Sequence, residues 1–108
     1  MMLETENSRV NQPEKEKLLV VELGEVVATP GALETLKEAG VLPLRLLGRH
    51  QSGDWGDISE SDKRENELSL KEGFRLLSAY KLPDDNGKVW IITEADRSVT
   101  TILLPEEY

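Results

Sequence analysis

Apolar and polar residues alternate in three short runs over the last third of the chain, Phe74 to Leu82, Lys88 to Glu94 and Ser98 to Leu104. The second and third runs are rich in β-branched residues and the first carries the aromatics Phe74 and Tyr80, as half-buried strands do. The Asn86-Gly87 pair and the polar segment Thr93-Glu94-Ala95-Asp96-Arg97-Ser98 are turn signals between them, so the region reads as an antiparallel meander. A two-residue turn at Asn86-Gly87 sets Leu82 opposite Ile91 and Tyr80 opposite Thr93, although Pro83 to Gly87 can also close as a longer turn. Closure around Asp96-Arg97 sets Thr93 opposite Thr100 and Ile91 opposite Ile102. One face of the meander then grades from Leu82, Val89, Ile91, Ile102 and Leu104 at one end to Ser78, Tyr80, Thr93 and Thr100 at the other.

Upstream, the apolar spacing changes to that of helices. Thr29-Pro30 is a helix start, because threonine accepts from an orphan amide and proline at the first helical position loses no hydrogen bond. Leu33, Leu36 and Ala39 follow on one stripe, and Gly40 is placed to end the helix. Pro43 opens a second helix with Pro43, Leu46, Leu47 and His50 on one face, closed by Gly53. Ser59 with Asp62 predicts a third helix running to about Glu72, with Gly73 as its stop. Its pairs Glu60 with Arg64, Lys63 with Glu67 and Glu67 with Lys71 suit a solvated face. Asp62, Asn66 and Leu70 form another stripe, which brings the two polar residues to the inner rim, where they need partners.

Lys17 to Thr29 reads as a first strand with a bend or bulge at Gly24. Residues 1–16 are polar, mixed in charge and carry Pro13, which predicts a flexible tail ahead of a single domain over 17–108. The expected fold is α+β: an N-terminal strand, three helices, then a three-stranded antiparallel meander that the first strand joins as a fourth. A chain of 108 residues can bury roughly two thirds of its unfolded surface and fold without staples.

Charge narrows the function classes. The net charge of −8, from 21 acidic and 13 basic residues, repels phosphate backbones and attracts basic surfaces. A broad nucleic-acid binder is thereby disfavoured, while RNA at a small local site, or a basic protein surface, fits. There is no cysteine, no apolar run of membrane-spanning length, and no basic and apolar leader at Met1 to Glu6, so the expected location is the cytoplasm, with no membrane partner.

Of the side chains that carry chemistry, His50 comes first: at a helix C-terminus the carbonyl dipoles favour its charged form, suiting acid or base work near neutral pH. Arg97, beside Thr93, Ser98 and Thr100, has the fork that binds an oxyanion or phosphate, and Glu94 or Asp96 can supply a second proton-transfer group. His50, Arg97, Thr93 and Thr100 are therefore the candidate catalytic residues of an RNA hydrolase site, with Tyr80, Ser78 and Trp55 as candidate substrate contacts. Asp54, Asp57 and Asp62 lack the spacing of a calcium loop, and no metal or other cofactor is expected. Phosphate-cradling glycine loops, nucleophile elbows and basic stripes with interleaved aromatics are missing as well. The competing reading is a non-catalytic acidic interaction module that inhibits or regulates a nucleic-acid enzyme. It predicts a contiguous acidic face with His50 buried and satisfied, whereas catalysis requires His50 and Arg97 to converge in one concave site.

Gly24 through Ala32, the segment His50-Gln-Ser-Gly-Asp-Trp-Gly-Asp57, the pair Asp62 and Asn66, and Trp90 through Tyr108 together resemble a family of small bacterial proteins of plasmids and other mobile elements. Some of its members carry a type I restriction-subunit name, but a methyltransferase does not fit here: the chain is too short for a doubly wound cofactor domain and lacks its glycine fingerprint. The layout, helices first and then an antiparallel sheet, is also similar to the barnase, EndoU, colicin and RelE class of ribonucleases. That resemblance implies His50 as acid or base, Arg97 as phosphate clamp, and Thr93, Thr100 and Tyr80 as positioning groups.

Overall fold

The computed structural model describes residues 20–108, so the expected flexible tail at 1–16 lies outside the described residues. Strand β1 (Glu25–Ala28) leads into helices α1 (Pro30–Ala39), α2 (Pro43–Gln51) and α3 (Glu60–Glu72), followed by β2 (Leu76–Lys81), β3 (Lys88–Thr93) and β4 (Val99–Leu103). The fold is α+β, with one four-stranded sheet in the order β1-β4-β3-β2. The last three strands form the antiparallel meander, and β1 joins β4 in parallel, so the sheet is mixed.

The first strand is shorter than Lys17 to Thr29. It begins only after Gly24, which is bent at φ 65° and passes so close over the turn between β3 and β4 that a Cβ would lie 2.4 Å from the Arg97 and Ser98 carbonyl oxygens. Ahead of it, the Val20 and Val21 amides both donate to Gln51 O at the end of α2.

The helix ends follow their residues. Thr29 Oγ1 accepts from the Ala32 amide and Ser59 Oγ from the Asp62 amide, while Gly40 and Gly73 take the left-handed conformation that ends α1 and α3. Helix α2 instead ends at Gln51, two residues short of Gly53. On α1 the buried residues are Ala32 and Leu36, and Leu33 is exposed. Helix α3 buries Asn66 and Ser69. Its ion pair among the described residues joins Lys63 to Glu60, because Glu67 is engaged by the indole of Trp55. Asp62 stays exposed.

Of the two hairpin registers, the second holds: Thr93 pairs with Thr100 and Ile91 with Ile102. In the first, Tyr80 pairs with Val89 instead of Thr93, and Leu82 lies beyond the ladder. Pro83–Asp85 form a 3-10 turn and the Leu82 amide donates to Gly87 O, so the longer closure is the one adopted. The displacement is even, so every side chain keeps its face.

Helices α1 and α2 cover the inner face over a core of Leu36, Leu46, Leu47, Tyr80, Val89, Ile91 and Ile102; a smaller cluster joins Val21, Trp55 and Leu76. The free edge of β2 is closed by groups that imitate a neighbouring strand. Asn66 donates to Leu77 O and accepts from its amide, the Trp55 and Asp57 backbone does the same for Ala79, and Asp57 Oδ2 accepts from the Lys81 amide. Asn66 thus finds the partners its place in the stripe requires. No helix among the described residues is long and apolar enough to cross a membrane.

Candidate functional site

The meander and α2 bring four of the expected site residues together. His50 Nδ1 lies 2.6 Å from Ser78 Oγ, His50 Nε2 lies 2.9 Å from Thr93 Oγ1, and Thr93 Oγ1 lies 2.7 Å from Thr100 Oγ1. Thr100 donates its hydroxyl proton to Leu23 O at 2.7 Å. That last bond sets the direction of the whole chain, because each hydroxyl has one proton to give. Thr93 must donate to Thr100, so Nε2–H must donate to Thr93, and in the neutral ring Nδ1 accepts from Ser78. The imidazole is therefore protonated on Nε2.

All four side chains are fully buried. Burial, and secondarily the charge of Arg97, lowers the His50 pKa to about 4, against the ordinary 6.5. The expected pull of the helix C-terminus toward the charged form is outweighed. At neutral pH this ring lacks the acidic proton of an imidazolium, and it is sealed from solvent.

Tyr80 and Trp55 complete the packing around it. Tyr80 is buried, its hydroxyl donates to Asp54 O at 2.6 Å, and burial pushes its pKa well above the ordinary value. The Arg49 guanidinium lies 4.6 Å over its ring and pairs with Asp54 through two hydrogen bonds, which hold that carboxyl below the usual range. Trp55 meets the His50 ring edge-on at 5.7 Å and donates to Glu67 Oε2 at 2.9 Å. Both aromatics expected to touch a substrate thus face the interior.

Arg97 is engaged by backbone. At φ 61°, it turns its guanidinium back under the loop, where Nη1 donates to Phe74 O, Glu94 O and Ala95 O at 2.8 to 3.1 Å and Nη2 donates to Ser69 O at 3.1 Å. It fastens the last turn of α3 and the linker after it to the β3–β4 turn, and it does not pair with Asp96, whose carboxylate accepts from the Ser98 amide. A phosphate clamp needs a free fork, and here Nη1 and one bond of Nη2 are committed to carbonyls. Arg97→Ala is expected to lower stability by about 1–2 kcal/mol, because hydrogen bonds to a charge are lost while the freed carbonyls lie at exposed or partly exposed positions where water replaces the donor. Urea unfolding checks the value, and faster hydrogen exchange at the Gly73 and Phe74 amides, which bond Ser69 O, checks the place.

An accessible concavity lies elsewhere. A groove of about 530 Å³ runs between α3 and the outer sheet face, and none of His50, Ser78, Tyr80, Thr93, Arg97 or Thr100 lines it. One wall carries Asp57, Asp62 and Glu65, and the other carries Arg75 and Lys88. Leu77, Ala79 and half-buried Trp90 supply apolar surface between them. Trp90 also packs against the Tyr108 ring at 5.6 Å, with Arg75 5.3 Å over that ring. Sequence reasoning placed Asp62 near a rim and missed Trp90. The available signal was the alternation in β3, which sets an indole on the face opposite Val89 and Ile91.

No protein-family model, no curated protein and no solved structure matches the chain, and the functional reading rests on its own geometry.

Proposed function

We propose that the protein is a non-catalytic acidic interaction module that engages a basic protein surface, of the kind with which a nucleic-acid enzyme holds its substrate, and thereby inhibits or regulates that enzyme. The observation that carries this reading is the closed chain from Ser78 through His50, Thr93 and Thr100 to Leu23 O. It leaves the only histidine buried, neutral and fully bonded. Phosphodiester hydrolysis assisted by His50 and Arg97 would need both groups free to meet a substrate, and both are bonded within the fold. The net charge of −8 supplies the attraction for a cationic partner.

The test uses purified protein, a labelled RNA and fluorescent octaarginine. RNA should stay intact through prolonged incubation, and octaarginine should bind at low salt and be released as salt rises. RNA cleavage that copurifies with the protein and disappears in Arg97→Ala, or failure to bind octaarginine at low salt, would overturn the reading.

A further inference from the structure

We infer that the groove between α3 and the outer sheet face is the recognition site of this module and takes an arginine side chain from an extended basic segment of the partner. The inference rests on the interaction-module reading and adds to it a place and a ligand. Its first support is that opposite charges face each other across one groove without meeting. Asp62, Glu65, Arg75 and Lys88 all line it, yet none of the four belongs to an ion pair among the described residues. The carboxylate wall and the cationic wall thus stand apart, with room for a ligand that is charged at its tip and polar along its backbone.

The dimensions and the floor narrow the ligand. A volume of about 530 Å³ falls within the range of roughly 300–1,000 Å³ over which clefts hold compact ligands. Trp90 offers an aromatic surface, and a planar guanidinium stacks on an indole while its fork still reaches a carboxylate; an ammonium is more strongly hydrated and lacks the fork. Asp62 and Glu65, one turn apart on α3, form the carboxylate edge that such a fork would meet. Lys88 and Arg75, opposite, are donors for the carbonyl groups of the segment that carries the arginine. A nucleic-acid strand is disfavoured, because its phosphates would run along the three carboxylates.

The two tryptophans make the test internally controlled. Trp55 is buried with its indole bonded to Glu67, and Trp90 lines the groove, so their indole N–H signals report the interior and the site separately. A blocked arginine–glycine repeat octapeptide, titrated into labelled protein at low salt, should move the Trp90 indole and the amides of Asp62, Glu65 and Lys88, and leave the Trp55 indole in place. The double variant Asp62→Asn with Glu65→Gln should weaken binding on the order of tenfold, as loss of close charge partners does. Neutralising Glu34 and Glu38, exposed on α1, should change it within about twofold, a screened effect at a distance. Trp90→Leu should remove the preference for arginine over the matching lysine–glycine peptide. If the peptide binds but its shifts map away from Trp90, or the α1 variant weakens it as much as the groove variant, the groove assignment is overturned and the acidic-module reading survives. Equal affinity for the lysine peptide overturns the arginine assignment. No binding of this peptide by protein that binds octaarginine overturns the groove assignment and leaves the acidic-module reading standing, whereas failure with both peptides overturns both.

Discussion

His50→Ala is expected to destabilise the protein by about 3–4 kcal/mol, the range in which removal of a buried side chain and the orphaning of its hydrogen-bond partners combine. The imidazole is completely buried, so its removal leaves a void beside Trp55 and against the inner sheet face. It also leaves Ser78 without its acceptor and Thr93 without its donor, and it severs the polar connection between α2 and strands β2 and β3. For a domain of this size that is a large part of the usual total of about 5–15 kcal/mol, and the midpoint of thermal unfolding should fall by about 15 °C or more. The companion variants Ser78→Ala and Thr93→Val, each removing one end of the pair, should cost less, and a double-mutant cycle with His50→Ala should show strong coupling. Urea and thermal unfolding read each single and double variant. A loss below about 1 kcal/mol for His50→Ala would mean that the chain of hydroxyls contributes little to holding α2 on the sheet.

The same residues show how much of the molecule is legible before folding. Local signals were sufficient wherever the deciding partner lies within a few positions: Thr29 and Pro30 start α1, Ser59 starts α3, Gly40 and Gly73 end their helices, and the short turn after Thr93 sets the register with β4. The convergence of His50 with Ser78, Thr93 and Thr100 could also be anticipated, because helix spacing put the histidine on the apolar stripe and strand alternation put the hydroxyls on one face. Their role was a different matter. Whether a histidine beside hydroxyls is poised for chemistry or sealed into a core depends on which helices cover the sheet, and that is settled by packing between distant segments. Arg97 illustrates the same point: its neighbours in sequence are polar, but the carbonyls it satisfies include Ser69 and Phe74, brought to it only when α3 docks. The Asn86-Gly87 pair misdirected the first hairpin register, since the segment Pro83 to Asp85, with Asp84 and Asp85 both at φ 57°, takes up the chain reversal. The groove was invisible for a related reason. It exists because α3 lies along the β2 edge, held there by the Asn66 amide on Leu77, and leaves Trp90 and Leu77 incompletely covered on the outer face.

The second large effect is a loss of stability in mild acid. His50 has a folded pKa of about 4 and an ordinary value of 6.5, so between these two pH values the unfolded chain binds a proton that the native state refuses. Stability is complete above about pH 6.5 and falls as the pH drops, at up to about 1.4 kcal/mol per pH unit, for a total of about 3 kcal/mol by pH 4. No neighbouring group lessens this cost. Ser78 and Thr93 face the ring from β2 and β3, Trp55 meets its edge, and the nearby charge is the cationic Arg97, which opposes protonation. A proton on Nδ1 would, in addition, face the Ser78 hydroxyl proton and break the one-way order of donors. The lowered carboxylates act in an adjoining, more acid window: the stability that Asp54, Asp96 and Glu107 contribute begins to fall near the ordinary carboxylate values and is lost as the pH drops through their lowered folded values. Urea unfolding at pH 7.5, 6.0, 5.0 and 4.5 should therefore show a decline that His50→Gln lacks, since glutamine has nothing to titrate. An unchanged slope in that variant, or a flat profile in the parent protein, would show that the imidazole is free to take up its proton in the folded state, and the sealed chain from Ser78 to Leu23 would have to be given up.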